Sequence, residues 1–364
     1  MKDHSLQKFR DALLAWFATH QRSLPWRQSR DAYAIWVSEV MLQQTQVIKV
    51  TAYFTNFMRL FPDVSALARA DIQQVLKAWE GLGYYARARN LHRAAQQVAQ
   101  EFDGSVPSTC AEIRKLPGVG EYIAAAVASQ AFQESCAVVD GNVKRVLARL
   151  FQIDAPLNSS AAQKVFRSHA DELLEPRSPG DFNQAMMELG AIMCTPQAPR
   201  CSDCPVSNFC LSFQTGSVQR YPVTARPKQI PNYTIVVAII FRGDEMLIVQ
   251  RHQEGLLGGL WEFPGGKVET MKEVESARSA CSRIIREKTG VDIRIEKYLT
   301  TVKHAYSHFK IEMVAHLARY IRGTVLLTDH ASHRWITVDQ LDAFAFHKAV
   351  HKIFPALKKM RQSD

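Results

Sequence analysis

The sequence predicts a multidomain protein in which an all-α domain precedes a smaller α+β domain. Its 364 residues exceed the roughly 100–200 residues of a typical single domain. The pattern of apolar residues changes from helical to strand-like near residue 213. Between the two patterns, three prolines with basic neighbours indicate a stiff, extended linker. We therefore place the domains at residues 1–212 and 233–364, joined by a linker at 213–232.

The first half carries apolar side chains at helical spacing, interrupted by chain-breaking residues. Leu6, Phe9 and Leu13 lie three and four positions apart, and the segment 75–82 repeats the pattern. Proline, glycine and asparagine–serine clusters follow at short intervals. The first half therefore predicts many short helices joined by short loops.

The second half begins with β-branched residues that are typical of strands. A run at 233–241, a turn at Gly243-Asp244 and a run at 246–250 predict a β-hairpin. The further elements predicted by periodicity are strands at 294–301, 310–318 and 334–338 and helices at 273–288 and 341–353.

The composition favours a folded protein with a polyanionic partner. The chain has 45 Lys+Arg against 35 Asp+Glu, a formal net charge of +10, and nucleic acid is the commonest partner of such a balance. Hydrophobic and charged fractions of 47% and 22% exclude collagen, coiled coil and wholesale disorder. The longest purely apolar run, 235–241, is far shorter than the ~20 residues of a transmembrane helix, and residues 1–16 lack the apolar core of a signal peptide. We therefore expect a monomeric cytoplasmic protein with no membrane partner.

Four of the seven cysteines lie within residues 194–210. They are Cys194, Cys201, Cys204 and Cys210. Thiolates suit either Zn²⁺ or an iron–sulfur cluster, and the remaining alternative is four unrelated reduced cysteines. The loop contains a single Cys-x2-Cys pair and long outer spacings, which favour a [4Fe–4S] cluster because it is larger than one ion.

A glycine-rich turn lies between two helical patterns at residues 116–120. Two glycines and a proline there predict a tight hairpin with exposed backbone N–H groups, next to the N-terminus of the following helix. Such an arrangement binds a phosphate oxygen without reading base sequence. The alternative is a plain helix–helix turn.

Two acidic residues stand out by their apolar surroundings. Glu39 is the single acid of the mostly apolar stretch 34–50, and burial would keep its carboxyl protonated, as a general acid requires. Asp140 follows two valines and precedes a glycine, where it could meet a developing positive charge. The alternatives are an exposed glutamate on a polar helix face and an N-cap of a helix over 143–150.

Together these features resemble the MutY-type adenine DNA glycosylases of the helix-hairpin-helix superfamily over nearly the whole chain. The matching segments are 24–27, 38–47, 81–85, 116–120, 139–149, 182–190 and the cysteine loop. The resemblance implies an all-α helix-hairpin-helix glycosylase core with a [4Fe–4S] loop, followed by a Nudix-like lesion-recognition domain. It also implies the substrate, double-stranded DNA in which adenine is mispaired with 8-oxoguanine or guanine and is flipped out for base excision repair.

The resemblance assigns roles to individual residues. Glu39 is implied as the general acid that protonates adenine N7, and Asp140 as the carboxylate that stabilises the oxocarbenium-like sugar. Tyr122 and Asn142 are implied to support that aspartate and the water chemistry. The residues implied to contact the flipped adenine are Trp26, Arg27, Leu42 and Gln184, and those implied to wedge beside the opposite base are Gln44 and Tyr84. The expected contacts to the DNA backbone are Leu116, Gly118, Gly120, Lys144 and Arg200.

Two departures from related enzymes refine the expected chemistry. Endonuclease III carries a catalytic lysine two residues after the last glycine of the hairpin, where this chain has Tyr122. A phenol cannot form a Schiff base, so we expect a mainly monofunctional glycosylase. Nudix hydrolases hold Mg²⁺ with a glutamate-rich helix, and two of the three glutamate positions here are Ile284 and Lys288. This departure favours recognition over hydrolysis.

Within the second domain, Tyr306-Ser307-His308 resembles the aromatic-Ser-His loop of the family, which contacts 8-oxoguanine. Tyrosine replaces the usual phenylalanine and keeps a stacking ring. The alternative is a simple turn between strands.

The sequence leaves two alternatives to a glycosylase. A non-catalytic DNA-binding protein with a redox-sensing cluster would need neither Glu39 nor Asp140. A Nudix pyrophosphohydrolase with an attached DNA-binding domain would need the intact glutamate helix.

Overall fold

The computed structural model describes residues 3–224, 229–268 and 276–361. Contacts between residues divide the chain into two compact units, one of residues 1–69 with 90–227 and one of residues 70–89 with 228–364. Composition had grouped residues 70–89 with the first half. The difference arises because composition reports the type of secondary structure, whereas the units report which segments pack together. The boundaries drawn from composition remain a prediction.

The N-terminal part of the chain is helical, and no strand occurs among its described residues before position 232. Its helices are α1 (Asp3–His20), α2 (Ala32–Leu42), α3 (Val47–Leu60), α4 (Val64–Arg69), α5 (Ile72–Ala78), α6 (Ala86–Glu101), α7 (Cys110–Ile113), α8 (Glu121–Phe132), α9 (Gly141–Phe151), α10 (Ser160–Leu173), α11 (Pro179–Glu188) and α12 (Leu211–Gln214). The all-α prediction is confirmed. Among the described residues, no helix is both long and apolar enough to cross a membrane.

Two helices form the centre of the first unit because they are apolar on all sides. In α2 every residue from Tyr33 to Met41 is buried, and in α8 every residue from Ile123 to Gln130 is buried. A helix without a polar face is stable only inside a core, and α2 and α8 pack against each other there. Polar side chains on these two helices therefore face one another without competing water.

The predicted turn at residues 116–120 joins α7 to α8. Gly118 has φ +75°, a left-handed conformation that only glycine adopts at little cost. A Cβ at this position would lie 2.5 Å from the Cβ of Asn90, so the hairpin also packs too closely for a side chain. Gly120 precedes the first residue of α8 as its N-cap, which leaves the backbone N–H groups of the helix start unobstructed by a capping side chain.

The second unit is built around a mixed sheet. Its strands are β1 (Asn232–Arg242), β2 (Glu245–Arg251), β3 (Trp261–Glu262), β4 (Gly265–Lys267), β5 (Asp292–Ala305), β6 (Lys310–Arg322) and β7 (His330–Ile336). The main path has the order β3-β2-β1-β6-β5, in which only β1 and β6 run parallel; β4 pairs with β1 and β7 with β2. The predicted hairpin and the three further strands are therefore present, each with shifted ends.

Helices cover both faces of this sheet. Val236, Ala238 and Ile240 of β1 share a core with α13 (Ala277–Thr289), whereas Val237 and Ile239 face the other core. That second core includes residues of α14 (Lys348–His351) and α15 (Phe354–Arg361). Alternate residues of β1 are thus buried on opposite sides, which explains its nearly continuous apolar sequence. The first residues of the helix predicted at 273–288 lie outside the described residues, and the remainder corresponds to α13.

The single helix predicted at 341–353 is wrong. A short 3₁₀ helix (Val338–Ala343) is followed by extended chain, and α14 begins at Lys348. The Trp261 N–H donates to the Ala345 carbonyl at 2.9 Å, and Phe346 pairs with Trp261. Extended residues here bury Ala345 and Phe346 against the sheet, so tertiary packing overrides the helical periodicity of the sequence.

We predict that Gly118→Ala destabilises the first unit by about 1–3 kcal/mol, because alanine must adopt positive φ and displace Asn90. Gly141→Ala is the matched control, since a Cβ at Gly141 meets no atom within 4 Å and its φ is not positive. Urea unfolding followed by far-ultraviolet circular dichroism measures both variants. Equal midpoints for the two variants would contradict this reading of the hairpin.

Candidate active site

A pocket of about 670 Å³, including its open mouth, lies in the first unit where several of its helices converge. Its lining residues are Arg22, Leu24, Trp26, Arg27, Glu39, Leu42, Thr45, Val47, Tyr122, Gln130, Asp140, Asn142, Gln184, Met187, Glu188 and Ala191. All four residues expected to be catalytic line this pocket, and so do all four expected to contact the flipped base. Segments more than 100 residues apart in sequence therefore form one cavity.

Glu39 lies inside the core, with 3% of its surface exposed. The alternative of an exposed glutamate is therefore wrong. Gln130 of α8 donates from Nε2 to Glu39 Oε1 at 3.1 Å, and the Tyr122 hydroxyl donates to Glu39 Oε2. Burial raises the pKa of Glu39, and the negative charge of Asp140 acts in the same direction, whereas the two hydrogen bonds oppose it.

The position of Tyr122 corrects one expectation. Its resemblance-based role was to support Asp140, but its hydroxyl is hydrogen-bonded to Glu39. The physical reason is the packing of α2 against α8, which places the first turn of α8 beside Glu39. Burial raises the pKa of Tyr122 well above its usual range, so the phenol remains a hydrogen-bond donor at neutral pH.

Asp140 is the N-cap of α9. Its Oδ1 accepts from the Val143 N–H at 2.7 Å, and its Oδ2 accepts from Asn142 Nδ2 at 3.0 Å. The capping alternative is therefore confirmed, and it leaves the carboxylate on the pocket wall. Burial raises the pKa of Asp140, while the two donors and the charge of Arg145 oppose that rise. The helix N-terminus also favours the anion.

Arg145 connects this carboxylate to the cysteine loop. Its Nη2 donates to Asn142 Oδ1 at 2.8 Å and to the Gly190 carbonyl at 2.7 Å, and its Nε donates to the Cys194 carbonyl at 2.8 Å. The chain of contacts runs from Asp140 through Asn142 and Arg145 to Cys194. A rigid cysteine loop therefore helps to fix the orientation of Asp140.

Two of the pocket residues that sequence reasoning did not single out, Glu188 and Gln130, make polar contacts that matter to the site. Glu188 is 1% exposed and accepts from Arg22 Nε at 2.7 Å and from Arg27 Nη2 at 3.0 Å. Although burial raises its pKa, these hydrogen bonds lower the pKa of Glu188 to about 2, so it is a buried anion. The sequence did contain a signal for Glu188. It lies four residues after Gln184, so the two side chains share one face of α11 and Glu188 could have been predicted to line the same pocket.

The four clustered cysteines line a second cavity, of about 310 Å³, together with Arg149. Arg149 Nη1 lies 3.2 Å from Cys194 Sγ, and a π-helical turn (Leu189–Met193) leads from α11 into the loop. Among the described residues, no three His, Cys, Asp or Glu side chains are arranged to hold a single metal ion.

The remaining recognition residues are divided between the units. Gln44 is exposed in the first unit with φ +54°, and Tyr84 belongs to the second with φ +49°. Ser307 and His308 are exposed in the β5–β6 turn, which the Tyr306 N–H closes by donating to the Phe309 carbonyl at 2.8 Å. The Tyr84 hydroxyl and Ser307 Oγ are hydrogen-bonded. Left-handed φ at a non-glycine residue costs energy and persists only where surrounding contacts fix it.

The expected DNA-backbone contacts differ in exposure. Leu116 is buried, so only its main chain could reach a phosphate, whereas Arg200 is exposed and donates to the Ile192 carbonyl at 3.1 Å. Burial lowers the pKa of Lys144, which is partly exposed. These positions are compatible with phosphate contacts.

The second unit has lost the metal-binding pattern of a hydrolase. Ile284 and Lys288 both belong to α13. The Ile284 side chain is buried in the core between α13 and the sheet, and Lys288 Nζ pairs with Asp329 Oδ2 at 2.9 Å. An apolar residue and a cation at these positions cannot ligate Mg²⁺.

Comparisons with known proteins give one family match in each half of the chain, and the first match includes residues 70–89. Residues 37–170 match the HhH-GPD superfamily of base excision DNA repair proteins, and residues 236–356 match the NUDIX domain. The chain is 35% identical to the human adenine DNA glycosylase, over 95% of this chain and 73% of that protein. Among solved structures, a thermostable thymine-DNA glycosylase has a TM-score of 0.54 and 29% identity, covering 58% of this chain and 98% of its own. An endonuclease III–DNA covalent intermediate, at 20% identity and a TM-score of 0.51, covers 59% of this chain and 99% of its own and shares the fold.

We predict that Glu39→Gln stabilises the protein at neutral pH. A carboxyl whose folded-state pKa is raised contributes stability below its ordinary pKa of 4.5, and that stability is lost as the pH rises through the folded-state value. The glutamine side chain does not ionise, so the variant avoids this loss of stability. Each unit by which folding raises the pKa corresponds to about 1.4 kcal/mol in the free energy of unfolding. Thermal unfolding across this pH range should give a variant-minus-native difference that grows with pH. The exposed control Glu101→Gln should give a constant difference; a constant difference for Glu39→Gln as well would contradict a buried acid.

Proposed function

Because the chain belongs to the adenine DNA glycosylases, base excision repair enzymes that hydrolyse an N-glycosyl bond, we propose that it removes adenine mispaired with 8-oxoguanine or guanine in duplex DNA. The observation that carries the proposal is the pocket in which the buried carboxyl of Glu39 and the capped carboxylate of Asp140 share one wall. Adenine inside a duplex is inaccessible, so the base enters this pocket only after extrusion from the stack.

Glu39 is proposed as the acid that protonates adenine N7. Adenine is a poor leaving group as an anion and leaves readily once N7 carries a proton. A general acid must keep its proton near neutral pH, and burial raises the pKa of Glu39 in that direction. Tyr122 and Gln130 hold both carboxyl oxygens and so orient the proton toward the pocket.

Asp140 is proposed as the anion that stabilises the developing positive charge on the sugar. Its oxygens are fixed by the Val143 N–H and by Asn142 before the reaction begins, so the site pays little reorganisation energy when charge develops. The two carboxyl groups thus act in opposite protonation states, as in glycoside hydrolysis. Asn142 is suited to orient a water molecule beside this carboxylate.

A monofunctional reaction is favoured by the lining of the pocket. Within the described part of the chain, no lysine lines it, and Tyr122 lies where endonuclease III has its catalytic lysine. A Schiff base with the sugar requires an amine. Hydrolysis with release of free adenine, leaving an abasic site, is therefore the main expected outcome.

A [4Fe–4S] cluster is proposed for the cavity lined by Cys194, Cys201, Cys204 and Cys210. The bound cluster would fold the loop around itself and would thereby hold Arg145 and Arg200 in place. Arg145 donates to the Cys194 carbonyl and to Asn142, so loop order reaches the catalytic carboxylate through this side chain. Arg200 would contact a DNA phosphate.

Recognition of the base opposite adenine is proposed for the exposed turn that carries Ser307 and His308. Guanine and 8-oxoguanine differ at N7 and C8, so discrimination needs a polar group at that edge. A hydroxyl donates or accepts, and an imidazole does either according to tautomer. In α13, Ile284 and Lys288 stand where Nudix hydrolases have metal-binding glutamates. This difference supports recognition of the opposite base by this domain rather than hydrolysis.

For catalysis, we expect Glu39→Gln and Asp140→Asn each to abolish adenine release while mispair binding persists, because each carboxyl acts in the transition state. Single-turnover excision and equilibrium binding to an A:8-oxoguanine duplex measure the two properties. The control is Glu101→Gln, at the exposed end of α6, which should excise at the native rate. A near-native rate for either pocket variant would remove that residue from the mechanism.

For the cofactor, we expect roughly four iron and four sulfide per chain after anaerobic purification. Cys201→Ser should lower the iron content and weaken DNA binding, whereas Cys281→Ala, in the core of the second unit, should retain the iron. Zinc in place of iron in the native protein would refute the cluster.

For opposite-base recognition, we expect the double variant Ser307→Ala, His308→Ala to reduce the preference for 8-oxoguanine over guanine. Loss of one specific base contact costs about 1–3 kcal/mol, or roughly tenfold to a hundredfold. The measurement is the ratio of single-turnover rates on the two mispairs. An unchanged ratio would leave Tyr306–His308 as a simple turn between strands.

A further inference from the structure

The segment that replaced the expected helix, residues 344–351, is extended up to His347 and continues as α14, and it contacts two other parts of the second unit. We call it the C-terminal strap. One side of the strap contacts residues 70–89, which include Tyr84, and the other contacts the β5–β6 turn with Ser307. Both contacts are made by polar groups that are largely buried.

Glu80 makes the first contact. Its Oε1 accepts from the Phe346 N–H at 2.7 Å and from His351 Nε2 at 2.7 Å, and its Oε2 accepts from Lys77 at 2.7 Å. Lys77 Nζ also donates to the Phe344 carbonyl at 3.0 Å. The Glu80 side chain is only 14% exposed, so these hydrogen bonds act with little competition from water. They hold the turn that begins at Gly81 against the strap.

His347 makes the second contact. Its Nε2 lies 3.5 Å from Glu262 Oε2, and its Nδ1 lies 3.3 Å from the Tyr306 hydroxyl. Glu262 also binds Arg251 at 3.0 Å and is an anion, so Nε2 presents a proton to it, and Nδ1 is within hydrogen-bond distance of the Tyr306 hydroxyl. The hydroxyl at position 306 therefore ties the first residue of the turn to the strap.

We propose that Glu80 and His347 are positioning residues for opposite-base recognition, because the C-terminal strap holds Tyr84 through one and the Tyr306–His308 turn through the other. The inference rests on the proposed function of that turn. Tyr84 and Ser307 are hydrogen-bonded side chains at the far ends of these two paths. A hydrogen bond to a base tolerates little displacement. Losing the contacts of Glu80 or His347 should therefore lower the preference for 8-oxoguanine over guanine more than it lowers the rate of adenine excision.

The backbone around Tyr84 needs such support. Gly81, Gly83 and Tyr84 have φ of +97°, +81° and +49°, three left-handed residues within four positions. For Tyr84 this conformation is intrinsically unfavourable and persists only where neighbouring contacts fix it. Glu80 directly precedes this turn, and the Tyr85 hydroxyl donates to the Phe346 carbonyl at 3.4 Å after it.

The test uses the full-length protein with Glu80→Gln and His347→Leu. Tyr306→Phe removes the same hydrogen bond as His347→Leu without removing a buried histidine, and so guards against misfolding. The matched controls are Glu245→Gln, an exposed acid paired with Arg242, and His333→Leu, an exposed histidine of β7. Two properties are measured: hydrogen exchange of peptides covering 79–89 and 302–310, and single-turnover rates opposite 8-oxoguanine and guanine.

We expect Glu80→Gln to raise exchange in 79–89, and His347→Leu and Tyr306→Phe to raise it in 302–310. Each should lower the 8-oxoguanine preference about fivefold to tenfold, the effect of losing one well-placed hydrogen bond. The controls should leave both measurements unchanged. Unchanged hydrogen exchange in these variants would overturn the inference. An unchanged 8-oxoguanine preference in them, while the double variant Ser307→Ala, His308→Ala lowers that preference, would also overturn it. In that case the turn would recognise the opposite base without support from the C-terminal strap. An unchanged preference in that double variant would reject the proposed role of the turn, and the inference with it.

Discussion

Burial of a single carboxyl group, that of Glu39, is the constraint on which the active site depends. An isolated carboxylate in an apolar core costs several kcal/mol, so the group either finds a cation or keeps its proton. Its direct hydrogen-bond partners are the neutral side chains of Tyr122 and Gln130. The apolar sequences of α2 and α8 therefore do more than form a core, because they set the protonation state of the acid between them. Burial raises the pKa of Asp140 as well, but Asp140 lies at a helix N-terminus, where a backbone N–H, the Asn142 amide and the charge of Arg145 favour its anion.

A polar network around these two carboxyl groups connects the cysteine loop to a pocket that the loop does not line. Arg145 is fixed by two carbonyl groups and by Asn142, which in turn donates to Asp140. Glu188, paired with Arg22 and Arg27, also lines the pocket and lies just before the π-helical turn that leads to Cys194. Asp140, through Asn142 and Arg145, and Glu188 are thus both connected to the segment that enters the proposed cluster site.

Much of this arrangement could be predicted from the sequence, and the failures have identifiable causes. Glu39 stood out because an apolar stretch on every side of one acid predicts burial, and the four clustered cysteines predicted a common cavity. The partner of Tyr122 could not be predicted, because the rotation of α8 relative to α2 decides which carboxyl its hydroxyl reaches. Helical spacing at 341–353 was misleading, since extended residues bury Ala345 and Phe346 equally well against the sheet. Pairing of residues 70–89 with the second unit depends on Glu80 and other polar contacts between distant segments, which leave no periodic signal.

The most direct measurement of Glu39 as a protonated acid is the pH dependence of the single-turnover rate of adenine excision. If the neutral form of Glu39 and the anionic form of Asp140 are both required, the rate constant falls at high pH as Glu39 loses its proton and at low pH as Asp140 gains one, with logarithmic slopes approaching about −1 and +1. Tyr122→Phe should shift the fall at high pH to higher pH, because the Tyr122 hydrogen bond lowers the pKa of Glu39. A rate constant that shows no fall at the high-pH end in either protein would contradict protonation of the adenine by Glu39.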